Sequence, residues 1–165
     1  MATGSKSVQL QIRVSPAEKA AIQRAARRAG LGMSAYVLAR VLPALPRRFT
    51  ELADALRTPG AERYALAELN GWLTGLGSGE LREAVASPPP SGLKPYPSNY
   101  VAAMVEYACA RRGVPPPAWT QSIAPLAEPE FASTLANLRL YLLTHSPPPF
   151  RKRNIFIDAS IGARV

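Results

Sequence analysis

The sequence predicts a mainly α-helical protein in two parts. The first is a short N-terminal element of one strand and two helices that is completed by a second copy of itself; the second is a helical, proline-rich C-terminal domain. Three observations predict this. Residues 7–14, "SVQLQIRV", alternate cleanly, with Val8, Leu10, Ile12 and Val14 on one face and Ser7, Gln9, Gln11 and Arg13 on the other, the period of a half-buried strand. No second strand follows nearby, and a lone strand leaves its N–H and C=O groups unpaired on both edges. The rest of the chain reads as helical segments divided by prolines and glycines.

The elements follow in order. Ser15, Pro16 and Glu18 make a helix start: Ser as N-cap, Pro at the first helical position, Glu as the reciprocal partner of a capping box. Ala21, Ile22, Ala25, Ala26 and Ala29 form an apolar stripe, and Gly30 fits a C′ stop. A second helix runs from about Met33 to Leu42, after which Pro43 and Pro46 punctuate the chain. Residues 47–58 and 61–74 read as short helices, the Gly-rich "GLGSGE" breaks them, and "ELREAVA" starts another. "SPPPSGLKPYPS", residues 87–98, reads as a linker or an ordered proline loop. Asn99 to Arg112 is a helix with Val101, Met104, Val105, Ala108 and Cys109 inward, Phe131 to His145 another with Leu135, Leu138 and Leu142 on one face, and "NIFIDA" a short terminal strand. The expected domains are 1–46, a helical connector 47–86, a linker 87–98 and a C-terminal domain 99–165.

Charge separates the two parts. The 165 residues carry a net charge of +9 and a pI near 10.3. Residues 1–50 hold nine basic residues against one acid, Glu18, whereas residues 51–165 are almost balanced. The N-terminal third is therefore where a polyanionic partner is expected, nucleic acid ahead of a membrane surface. One cysteine excludes an internal disulfide and suits a reducing compartment. No run approaches the roughly 18 apolar residues of a membrane span, and "MATGSKS" has no apolar signal region behind it. The expectation is a soluble cytoplasmic protein.

The stretch "VQLQIRVSPAEKAAIQRAARRAGLGMSAYVLARVL" resembles the ribbon–helix–helix repressors of the Arc and MetJ type, which include many bacterial antitoxins. The resemblance covers about residues 6–44. It implies a homodimer in which two strands pair antiparallel into a ribbon that enters the major groove of double-stranded operator DNA. Carried over by position, Gln9, Gln11 and Arg13 read bases, Gln suiting adenine and Arg guanine. Backbone N–H groups near Gly32, Met33 and Ser34 would anchor a phosphate at the second helix. Gly32 stands where the family usually has Ser or Thr, which removes one hydroxyl contact.

The remaining residues show no recognisable catalytic constellation. Cys109 has no histidine at a recognisable spacing and reads as core, His145 sits at a helix C-terminus, and "GLGSGE" follows no strand. No catalytic residue, metal or cofactor is expected. Residues 99–165, with "PPPAW" and "SPPPFRKRNIFID", are similar to a C-terminal module of actinobacterial antitoxin-like proteins, whose neighbouring product is often a nucleotidyltransferase-like toxin. That resemblance implies a cognate toxin as partner. By residue type, Trp119, Phe131, Phe150, Arg151, Arg153 and Phe156 are candidate interface anchors. The reading is an antitoxin of a type II toxin–antitoxin system that also binds its own operator. The alternative is a repressor whose C-terminal domain senses a small ligand, and an enzyme is the third possibility.

Overall fold

The structure is a computed structural model that describes residues 11–41 and 44–158. The chain divides into two units, Met1–Pro43 and Ala44–Val165.

In unit 1, helix α1 (Pro16–Arg28) begins as its sequence dictates. The Ser15 hydroxyl accepts from the Glu18 N–H at 3.3 Å, and the Glu18 carboxylate accepts from the Ser15 N–H at 2.8 Å. Both ends of the capping box are closed, which satisfies two N–H groups that a helix start would leave orphaned. At the other end Gly30 takes φ +67°, a left-handed conformation that glycine adopts without a Cβ penalty. The chain reverses there, and α2 (Met33–Val41) packs against α1. Ala26 is the one buried residue among those described in this unit.

The expected ribbon–helix–helix fold class is corrected at this point. Residues 7–10 lie outside the described residues, and Gln11–Val14 form no strand. Ile12 is 60% and Val14 43% exposed, so the alternation buries no face. The physical reason is that a strand needs a partner for its backbone groups, and no described segment pairs with this one. Among the described residues the sole sheet lies far along the chain, in unit 2. The mainly helical character stands: eight α-helices are seen among the described residues.

Unit 2 is built around α6 (Pro95–Arg111). Its residues Val101, Ala102, Ala103, Met104 and Val105 are consecutive and all buried, so this helix is enclosed on every side there. Around it the chain lays α3 (Ala44–Ala55), α4 (Glu62–Gly75) and α5 (Ser78–Ala84). Helix α3 packs against α4 and α5, and α4 against α6. Phe49, Leu52, Leu69, Leu73 and Leu81 join the α6 residues in one core. The later residues add a 3-10 turn at Ala118–Ser122, α7 (Arg139–His145), α8 (Pro148–Arg151) and a parallel pair of short strands, β1 (Glu130–Phe131) and β2 (Ile155–Phe156).

Residues 44–158 therefore form part of one unit rather than connector, linker and domain. The helices expected to be a connector supply half of the core. The proline-rich stretch is tied down: the Arg57 guanidinium donates to the Ser91 carbonyl, and Pro95 and Pro97 lie in the first turn of α6, where the missing proline N–H costs nothing. The single helix expected over 131–145 is instead β1, a 3-10 turn at Ala136–Leu138, and the seven-residue α7.

Candidate nucleic-acid interface

The described part of unit 1 carries Arg13, Lys19, Arg24, Arg27, Arg28 and Arg40, all exposed, against one acid. That acid, Glu18, is engaged in the cap. Its bonds with Ser15, the backbone bond foremost, hold its carboxyl below the usual glutamate range, so it remains a local partner of α1 rather than a counter-charge for the arginines. None of the six cations forms an ion pair among the described residues. Arg40 lies over the Tyr36 ring, 5.4 Å from its centroid. Lys19, Arg24, Arg27 and Arg28 all stand on α1, spaced over its turns. A surface of this kind concentrates positive potential without internal compensation, which favours a phosphate backbone.

The expected DNA-reading residues fall into two places. Gln9 lies outside the described residues. Gln11 and Arg13 are exposed on the irregular segment before α1. Gly32, Met33 and Ser34 are exposed at the start of α2. The Tyr36 N–H bonds the Gly32 carbonyl at 2.9 Å, closing the first turn. Helix geometry leaves the N–H groups of that turn without acceptors inside the helix, and no atom lies within 4 Å of the position a Gly32 Cβ would take. Apolar side chains also face solvent in this unit: Ile12, Val14, Leu31, Met33 and Val41.

The six C-terminal candidates are placed very differently from one another. Phe150 and Phe156 are buried, and Phe131 is half-buried, stacked on Phe156 with centroids 4.9 Å apart. Trp119 is half-buried, donates from Nε1 to the Val85 carbonyl at 2.8 Å, and meets Phe49. Arg151 is exposed, as is its neighbour Lys152.

Arg153 is 5% exposed. Its Nη2 donates to Glu106 Oε1 and to the Thr120 carbonyl, both at 2.6 Å, and its Nη1 to Asn99 Oδ1 at 3.1 Å. Asn99, itself buried, donates to the carbonyls of Pro95 and Ala124. Arg153 is thus an internal clasp joining α6, the 3-10 turn and the segment before β2, and its guanidinium is not on the surface as an interface anchor would be. Sequence reasoning missed this because a buried arginine is identified by its acid partner, and Glu106 lies 47 positions away.

Cys109 is fully buried and burial pushes its thiol up, the setting of an unreactive core cysteine. The His145 ring stacks on Tyr141 and its Nδ1 lies 3.0 Å from the Tyr141 carbonyl. Among the described residues no group of three or more His, Cys, Asp or Glu is placed to hold a metal, and no helix is long and apolar enough to cross a membrane.

Fold and surface together define a small, strongly basic helical unit joined to a larger helical one with a core of its own. Residues 5–77 match a family model described as NikA-like, mobilization protein NikA, which makes this part of the chain similar to a DNA-binding family. The match covers all of the described part of unit 1 and reaches through α3 and α4 of unit 2. Comparison with curated proteins and with solved structures gave no match.

Proposed function

We propose that this chain is a DNA-binding protein that acts as a homodimer through unit 1 and engages a protein partner through unit 2. The observation that carries the reading is the uncompensated charge of unit 1, in the same residues that match the mobilization family. Arginines on α1 would supply phosphate attraction, Gln11 and Arg13 the base-reading chemistry, and the N-terminus of α2 a phosphate anchor. A second copy is the natural cover for Ile12, Val14, Leu31, Met33 and Val41, because a unit of about 40 residues is too small to bury a sizeable core alone, and Ala26 is the one buried residue among those described in it.

The match favours a role in DNA mobilization, with unit 2 holding another protein of the DNA-processing complex. The antitoxin reading differs only in the partner: unit 2 would instead hold a toxin, and its support is the resemblance of residues 99–165. In either case the chain binds rather than catalyses. The test is a titration of the full chain against a duplex carrying the DNA upstream of its own gene and a scrambled duplex, over a range of salt. The expected result is sequence preference and a log–log salt slope of about −0.9 per phosphate neutralised. Equal binding to both duplexes with a shallow slope would overturn the proposal.

A further inference from the structure

A cleft of about 480 Å³ lies in unit 2 where α6, the 3-10 turn and α8 meet, within the range of about 300–1,000 Å³ that encloses small ligands. Glu106 and Ala110 of α6 line it, with Gln121 of the 3-10 turn and Lys152 and Arg153 after α8. The rest of the lining is a valine, an isoleucine and three prolines. Proline has a fixed φ and no N–H, so these walls are rigid and offer few donors. Such a cleft is formed before anything enters it, and little ordering is lost on binding. Two local costs are kept at this wall. The Nη atoms of Arg153 are spent on protein acceptors, and its Nε is the one buried side-chain nitrogen or oxygen among the described residues without a hydrogen-bond partner. The next residue, Asn154, has φ +58° and is the one non-glycine residue at positive φ among those described. An unpaired buried donor and a left-handed non-glycine both oppose folding. Residues kept at such cost are expected at a site rather than in a plain core.

The charges of the lining select the ligand. Glu106 and Arg153 are paired at 2.6 Å and cancel one another. Lys152 is exposed and forms no ion pair among the described residues. The cleft therefore carries one positive charge that the protein does not match, which disfavours a cation and suits a single negative charge. We infer that this cleft binds a small monocarboxylate with a rigid apolar body. The carboxylate accepts from the Lys152 ammonium, a charge-assisted bond, and the body lies against the prolines. Arg153 touches no ligand in this arrangement; it holds Glu106 neutralised so that the charge of Lys152 is left available. The inference goes beyond the DNA- and protein-binding reading and stands independently of it.

The probes are three small molecules of one shape: cinnamate, its neutral amide and cinnamylammonium. Isothermal titration of the full chain is expected to show saturable binding of cinnamate, about fivefold or more tighter than the amide, with the ammonium weakest. Lys152→Gln should bring cinnamate down to the affinity of the amide. Ala110→Leu places a larger side chain in the cleft and should abolish binding of all three. Both residues are exposed, so both variants should keep the thermal midpoint of the parent, and loss of binding is then loss of the site rather than of the fold. Equal binding of the three compounds would overturn the inference, as would no binding of cinnamate at about 1 mM. Undiminished cinnamate binding by either variant would overturn it too, because the molecule would then be held elsewhere on the chain. Absence of DNA binding in the parent chain would defeat the proposed function and leave the cinnamate result standing.

Discussion

Units 1 and 2 have opposite economies of charge and burial. The described part of unit 1 has six exposed cations, one acid already engaged in a cap, and one buried side chain, Ala26. Unit 2 has a continuous core from Phe49 to Ile157 and keeps many of its arginines occupied. Arg48 reaches Glu68, Arg57 reaches Asp54, and Arg153 reaches Glu106. The difference teaches where each unit's stability resides. Unit 2 is stabilised by its own interior. The described part of unit 1 is held locally, by a cap, a glycine turn and one helix pair, and leaves Ile12, Val14, Leu31, Met33 and Val41 exposed.

The sharpest way to break this contrast is inside unit 2. Arg153→Met should cost about 3–5 kcal/mol, because it leaves the Glu106 carboxylate largely buried without its partner, and Phe49→Ala should cost a similar amount, about 3–5 kcal/mol. Denaturant unfolding checks both. Adding Glu106→Leu to Arg153→Met should recover much of the loss, since removing a buried pair together is far milder than removing half of it.

Alkaline pH gives a second handle on the same unit. Burial foremost, then Tyr100, Glu62 and Glu130, pushes the Tyr96 phenol up to about 12, and burial pushes Tyr100 up as well. The unfolded chain ionises its tyrosines near 10, so the favourable contribution is complete below that pH and is lost between 10 and about 12. The thermal midpoint of unit 2 should fall across that window, with tyrosinate absorbance appearing late in the folded protein.

In unit 1 the expected effects are smaller. Ser15→Ala should cost about 1 kcal/mol of α1 stability, read by helical circular dichroism of the full chain. Acid should act in the same direction: a lowered carboxyl favours the fold above the ordinary glutamate range and ceases to do so as pH falls through it. Leu140→Ser, on the exposed face of unit 2, should change stability by no more than about 0.5 kcal/mol. A large loss there would show that α7 is core after all.

Legibility in the sequence followed the range of the interactions. Helix α1 was readable in full, because Ser15, Pro16, Glu18 and Gly30 act within a few residues of one another. Helix α6 was readable as a helix, but its start at Pro95 was hidden by prolines that mimic a linker, and its burial on all sides was hidden because Ala102 and Ala103 carry so little hydrophobic signal. The strand at 7–14 was inferred from alternation alone; where described, Gln11–Val14 shows that alternation without a bonded neighbour does not make a strand. The candidate interface was legible as charge, whose location in the first 50 residues needs no fold. The anchors in the C-terminal part were not: residue type pointed to Phe150 and Phe156, whereas burial withdrew them.

The clasp at Arg153 also sets an order of events during synthesis. Glu106 emerges from the ribosome 47 residues before the arginine that neutralises it, and β1 waits for β2 over about half that stretch. At ordinary elongation rates that interval is a few seconds. Unit 1 by then has long been outside, with its cap, its turn and its cations in place. The clasp cannot close before Arg153 is available, so the Glu106 carboxylate on α6 stands without its cation until nearly the whole of unit 2 has been made.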